Sequence, residues 1–271
     1  MACSLVPCVS AAAGDAAGGW VTANASRVRL TWCGEAFTGA IDAKAALLAF
    51  VEMELDPGWK TYWRMPGDAG VPPSFVWSEA KIVAKASVYF PAPHRLADQG
   101  GEAIGYTGSV VFPVKIERRN VETPTPLRAT ISYGICKNIC VPVEVALTAA
   151  CYDGGFSEGI ARAAEAVPRA PSERRNGDPA LTGVAGSVVA NPPRLSIDVD
   201  FGTGADGDLF IEAPDGLYVP LPQMPKGPAT GRTTFAVDLS KVADAKELLG
   251  KELRLTMVSS QGASEALWVA K

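Results

Sequence analysis

The sequence predicts an all-β protein: two sandwich-type blocks joined by a short helical, proline-rich linker. Short apolar runs with strand-like alternation recur along the chain, separated by Gly, Pro, Asn and Asp clusters. Gly 27 and Pro 21 in 271 residues are generous for a helical protein and suit strands joined by turns. At roughly 150 residues per domain the length gives two domains. A hydrophobic content of 48% with 20% charged residues is enough to build ordinary cores.

The first 19 residues, MACSLVPCVSAAAGDAAGG, hold an apolar stretch and an Ala-x-Ala-like site at Ser10–Ala13, the end of a secretory signal. No basic residue precedes Arg27, so the signal reads as truncated, or as a flexible tail. Residues 20–155 form the first block. Val28–Trp32 alternates as a strand, and Ala46–Leu55 is extended and apolar-rich. The stretch LDPGWKTYWRMPGDAGVPPSFVW reads as aromatics and turn residues lying between strands. Ile82–Phe90, Val110–Ile116, Leu127–Tyr133 and Val141–Ala149 complete the block.

Residues 156–180 change character: Gly159–Ala166 suits a short helix ended by Pro168, and the Arg/Pro/Ser/Asn remainder reads as linker. Residues 181–271 form a second β block, with strands expected from near Gly183 and at Leu195–Phe201, Asp208–Glu212, Tyr218–Leu221, Thr233–Asp238, Leu253–Val258 and Ala266–Ala270. This block has neither cysteine nor histidine, and supporting the first is its simplest role.

Several functions are disfavoured. A formal net charge of -4 with no basic run argues against nucleic acid as a partner. No apolar run approaches the roughly 20 residues of a membrane-spanning helix. There is no Ser/His/Asp pattern, glycine-rich phosphate loop or paired-carboxylate motif. Asp68 and Glu102 are single acids in turn-like contexts, and the sole histidine, His94, sits in PAPHR, which reads as a solvated loop.

The chemistry therefore rests on cysteine. Removal of the leader would leave Cys33, Cys136, Cys140 and Cys151, an even set compatible with disulfides in an exported protein. In ISYGICKNICVPVEVAL (131–147), Ile131, Val141, Val143 and Val145 favour strands and Pro142 disfavours a helix interior. A hairpin turning through Lys137-Asn138-Ile139 sets Cys136 opposite Cys140, where cross-strand Cα separations of about 4.5–5.5 Å accept a disulfide.

A five-residue ring contributes only about 2 kcal/mol in the chain-entropy model, against about 5 kcal/mol for the 119 residues that a Cys33–Cys151 bridge would close. Tight rings are poor staples, which leans the pair towards exchange, with a plain staple as the alternative. Structural zinc wants four Cys or His ligands, so no metal site is expected; copper(I), which accepts two thiolates, is the minor alternative at Cys136 and Cys140. Cys33 and Cys151 read as buried thiols or a second disulfide. Trp59, Tyr62 and Trp63 read first as core and turn packing, second as a contact platform beside the cysteines.

Three ordered stretches, GWKTYWRMPGDAGVPP (58–73), GYTGSVVFPVKI (105–116) and YGICKNICVPVE (133–144), resemble the N-terminal periplasmic domain of the disulfide reductase DsbD. They are closer to its ScsB relatives, linked to suppression of copper sensitivity. DLFIEAPDGLYVPLP and LTMVSSQGASEALWVAK resemble the second β domain of the ScsB type. The resemblance implies immunoglobulin-like folds and a redox pair at Cys136 and Cys140, with no cofactor. It implies thiol–disulfide interchange in the periplasm, an electron-transport and protein-disulfide-reductase role in processes such as copper tolerance and cytochrome c assembly. The implied partners are a membrane-embedded DsbD- or CcdA-like reductase acting in trans and periplasmic thioredoxin-like proteins. DsbD shields its pair with an aromatic-bearing cap loop; here the corresponding stretch, Leu96 to Gly101 with Gln99, has no aromatic, which leaves Tyr106 as a possible substitute. Cys140 is the expected attacking thiol, because Pro142 makes its strand edge irregular.

Overall fold

The computed structural model describes residues 9–10, 18–33, 46–67, 70–78, 83–98, 101–118, 127–149, 158–203, 206–227, 229–242 and 244–271. The chain divides into two compact units, Met1–Glu165 and Ala166–Lys271. Both are β structures, with the immunoglobulin-like sandwich fold expected of them.

In the first unit the strands are β1 (Val9–Ser10), β2 (Val21–Ala23), β3 (Ser26–Cys33), β4 (Ala46–Leu55), β5 (Lys60–Gly67), β6 (Ser74–Trp77), β7 (Val83–Val88), β8 (His94–Asp98), β9 (Gly101–Thr107), β10 (Ser109–Arg118), β11 (Leu127–Cys136) and β12 (Cys140–Ala149), followed by helix α1 (Glu158–Glu165). One sheet runs β1-β12-β11-β5-β9-β8, with β6 also paired to β11; the other runs β2-β3-β4-β10-β7. Alternate residues of β11 face inward: Ile131, Tyr133 and Ile135 are buried. Phe75, Phe90, Phe112 and Tyr106 meet edge to face, with centroids 5.3 to 6.2 Å apart. The Tyr133 hydroxyl donates to Ser26 Oγ (2.7 Å), which donates to Ala23 O (2.7 Å), so a buried polar chain ties the two sheets together.

Three sequence expectations for this unit are corrected. The aromatic stretch around Tyr62 forms two strands, β5 and β6, and is not a set of turns. Tyr62 and Trp63 are buried on opposite faces of β5, so the strand shows no apolar/polar alternation. His94, expected in a loop, is the exposed first residue of β8. Leu96 to Asp98 and Gly101, aligned with a cap loop, lie in the paired strands β8 and β9.

The second unit has two three-stranded sheets, β13 (Ala180–Ser187), β14 (Arg194–Asp200) and β16 (Arg232–Asp238) in one, and β15 (Gly207–Glu212), β17 (Glu252–Ser259) and β18 (Gly262–Val269) in the other. Their inner faces bury Leu195, Ile197, Phe235, Leu209, Leu253 and Leu255 in one cluster. Tyr218–Leu221 is not a strand: it follows a 3-10 turn at Pro214–Gly216 and includes Pro220, which has no N–H for a ladder. The proline-rich stretch is tied into this unit. Arg169 bonds along β18 through Ala263 and Glu265, and its buried guanidinium pairs with buried Asp178 at 2.8 Å.

Candidate functional site

β11 and β12 run in unbroken register from Leu127↔Ala149 to Cys136↔Cys140, and the chain turns through Lys137-Asn138-Ile139. The two cysteine Cα atoms are 4.1 Å apart and the sulfurs are joined in a disulfide. Lys137 steadies the turn by donating from Nζ to Pro57 O (3.1 Å).

The two sulfurs sit in different surroundings. Cys136 is 3% exposed and belongs to a small cluster with Tyr62 and Ala103, against which Leu96 packs. Cys140 is exposed, as are its neighbours Asn138 and Ile139, the latter at 74%. The corner therefore has one sealed sulfur and one open sulfur. From the stretch without an aromatic, Leu96 packs on the cluster that holds Cys136.

Tyr62 is built into this corner by glycines. It faces Gly105 across β9, where any Cβ would collide with the Thr61 carbonyl oxygen. A Cβ on Gly134 would sit 3.3 Å from the Tyr62 ring and 3.0 Å from Val71 Cβ. On the other side of the ring, a Cβ on Gly70 would come within 2.5 Å of it. The phenol thus lies in a slot between Gly134 and the crossing Gly70–Val71 segment, which accepts a bond from Gly134 N at Val71 O (3.3 Å). Its hydroxyl emerges 3.4 Å from Cys140 Sγ. A disulfide sulfur has no proton, so the hydroxyl is the donor.

The other candidates take the following places. Tyr106 is buried on the inner face, donating to Pro91 O (2.8 Å) and edge-on to Phe112. Trp63 is fully buried, with the Arg64 guanidinium 4.3 Å from its ring centre. Trp59 is half-buried in the turn before β5, its N–H bonded to Asp56 O (3.0 Å). Glu102 pairs with Arg95 at 2.7 Å. Gln99, Asp68, Cys151 and the Cys33 side chain lie outside the described residues. Among the described residues no group of three His, Cys, Asp or Glu side chains gathers to hold a metal ion. Sequence reading missed Lys60, which is buried beside Cys136 in register with it. It also missed the glycines at 70, 105 and 134, whose signal was a small residue facing a large aromatic.

A family model described as the N-terminal part of the thiol:disulfide interchange protein DsbD matches residues 28–150, the segment that carries this corner. Residues 28–150 are thus a DsbD-type N-terminal domain. The crystal structure of the N-terminal periplasmic domain of ScsB from Proteus mirabilis aligns with 93% of this chain and 97% of its own, at 23% identity and a TM-score of 0.71. That likeness establishes the fold over both units. The tandem Ig repeats of Dlar align at 11% identity and a TM-score of 0.23, too low to carry an argument. No curated protein matches the chain. Its DsbD-type unit is a thiol:disulfide interchange domain, and the Cys136–Cys140 disulfide lies within it. Among the described residues no helix is long and apolar enough to cross a membrane.

Proposed function

We propose that the chain is a periplasmic module that takes reducing equivalents from a membrane-embedded reductase and hands them to thioredoxin-like proteins, using Cys136 and Cys140. The supporting observation is the exposed Cys140 bonded to a buried Cys136. An outside thiolate reaches only one of the two sulfurs, so the order of events follows from burial.

In the forward half-reaction the reduced Cys140 thiolate attacks a sulfur of the partner's disulfide, forming a mixed disulfide and releasing the partner's other cysteine as a thiolate. The Cys136 thiolate then attacks Cys140 Sγ. The Cys136–Cys140 bond re-forms and the partner leaves as a dithiol, so two electrons and two protons have moved. Re-reduction runs the same steps backwards: a donor thiolate attacks Cys140 Sγ and Cys136 departs with the electron pair. The hairpin supplies proximity, since at 4.1 Å between Cα atoms the second sulfur is already in reach.

The test is equilibration of the pair against defined thiol buffers. An exchanging pair titrates above about -300 mV, whereas a structural staple lies below that value.

A further inference from the structure

We infer that Lys60 holds a positive charge beside Cys136 and stabilises its thiolate whenever the disulfide is opened. This deepens the interchange reading and rests on it for its purpose, although its test needs no redox partner.

The starting point is a difficulty in the chemistry. When a thiolate attacks Cys140, the electron pair of the broken bond leaves on Cys136 Sγ. That residue is 3% exposed and clusters with Tyr62 and Ala103, with Leu96 packed against the group. Burial in apolar surroundings raises a thiol's pKa and makes it a poor leaving group, whereas an adjacent lysine lowers it. Water cannot provide the compensation here, so the charge must come from the protein.

Lys60 is the residue that the fold puts in that position. It is the cross-strand partner of Cys136 in the β5–β11 ladder. Directly opposed residues share a face, with Cβ atoms about 5 Å apart. Lys60 is 8% exposed, which is rare for a lysine. Its ammonium does not reach outward along the strand but turns under the β8–β9 hairpin, donating to Ala97 O at 2.9 Å. The preceding residue, Leu96, packs on the cluster that holds Cys136. The β8–β9 hairpin therefore both packs on the cluster that holds Cys136 and anchors the ammonium of that residue's cross-strand partner.

Among the described residues, Glu102 of the same hairpin pairs with Arg95 at 2.7 Å. Tyr62 directs its hydroxyl to Cys140, Lys137 is held on Pro57 O at the turn, and His94 is exposed at the start of β8. Lys60 is a positioning residue for charge and makes no bond to a substrate.

The experiment titrates the Cys136 thiol by its thiolate absorption in the full chain carrying Cys140→Ser, taking the difference from the chain that also carries Cys136→Ser. Lys60→Gln and Lys60→Arg are compared, since both keep a donor for Ala97 O and only Arg keeps the charge. The expected result is a rise of about one unit in the Cys136 pKa for Lys60→Gln, near-parent behaviour for Lys60→Arg, and about threefold or slower opening of the Cys136–Cys140 disulfide by dithiothreitol in Lys60→Gln with Cys140 restored. Equal pKa values in the Gln and Arg variants would overturn the inference. A Lys60→Gln shift that Arg also shows would assign Lys60 a packing role and overturn it as well. Failure of the interchange reading itself would appear separately, as a pair that does not equilibrate with thiol buffers while the Cys136 titration still responds to charge.

Discussion

The Tyr62 hydroxyl donates to Cys140 Sγ across 3.4 Å and 78 residues of sequence. In the disulfide this is a weak bond, because sulfur is a poor acceptor. Once Cys140 is a thiolate the same hydroxyl meets a charged acceptor, and the bond strengthens. Tyr62→Phe should therefore leave the stability of the oxidised protein within about 1 kcal/mol of the parent. It should raise the Cys140 thiol pKa by about one unit, read from the pH profile of alkylation in a Cys136→Ala background.

The slot around Tyr62 depends on glycine. Gly105→Ala would drive its Cβ into the Thr61 carbonyl, which is backbone and cannot swing away. We expect a loss of about 2–4 kcal/mol in thermal or urea unfolding. Gly134→Ala meets Val71 at 3.0 Å and the Tyr62 ring at 3.3 Å. Those groups can shift by tenths of an ångström, so the cost should be smaller, about 1–2 kcal/mol, with faster alkylation of reduced Cys136 as the cover loosens.

Alkaline pH should weaken the first unit through Tyr133. Burial pushes its hydroxyl up to about 12, against the lowering pull of the Ser26 hydrogen bond. An unfolded tyrosine ionises near 10, so between pH 10 and 12 the unfolded chain binds fewer protons than the folded one and unfolding becomes easier as pH rises. The contribution is intact below pH 10 and lost as pH rises through the folded value. The urea midpoint should be flat to about pH 9.5 and then fall by an amount equivalent to about 2 kcal/mol. Tyr133→Phe should remove that slope, at a cost of about 1 kcal/mol at neutral pH for the lost bond to Ser26.

In the second unit Asp178 accepts from the Arg169 guanidinium at 2.8 Å and from Arg175 N at 2.7 Å, with both members of the ion pair buried. Removing one partner strands a buried charge. Asp178→Ala should cost about 3–5 kcal/mol in the unfolding of this unit, measured by thermal denaturation. Simultaneous replacement of Arg169 and Asp178 by apolar residues should recover part of that loss.

The cysteine hairpin was legible in the sequence because its signals are local. β-branched residues flank both sulfurs, Asn138 suits the turn, and Pro142 speaks against a helix. Ala46–Leu55 was expected with the limits it has, since a long apolar run bounded by polar turns has few alternatives. The strand at Lys60–Gly67 was not legible: Tyr62 and Trp63 are buried on opposite faces, and the flanking Gly and Pro residues read as turns. β8 is short, begins with an exposed histidine and follows Pro91 and Pro93, so neither period nor propensity marks it. Tyr218–Leu221 failed in the other direction, where apolar residues suggested a strand that Pro220 does not support. The partners of the site, Lys60 on Cys136 and Tyr62 on Cys140, depend on register between strands far apart in sequence, and no local pattern encodes that register.

The central claim is that Cys140 meets the outside molecule while Cys136 resolves from within. Single-cysteine trapping tests it most directly. Reduced Cys136→Ala and Cys140→Ala chains are mixed with an oxidised thioredoxin-like protein, and mixed disulfides are located by peptide mapping so that Cys33 and Cys151 are told apart. The account predicts a stable adduct through Cys140 in the Cys136→Ala chain and little or none through Cys136 in the Cys140→Ala chain. An adduct formed equally well through Cys136, or through neither sulfur, would contradict it.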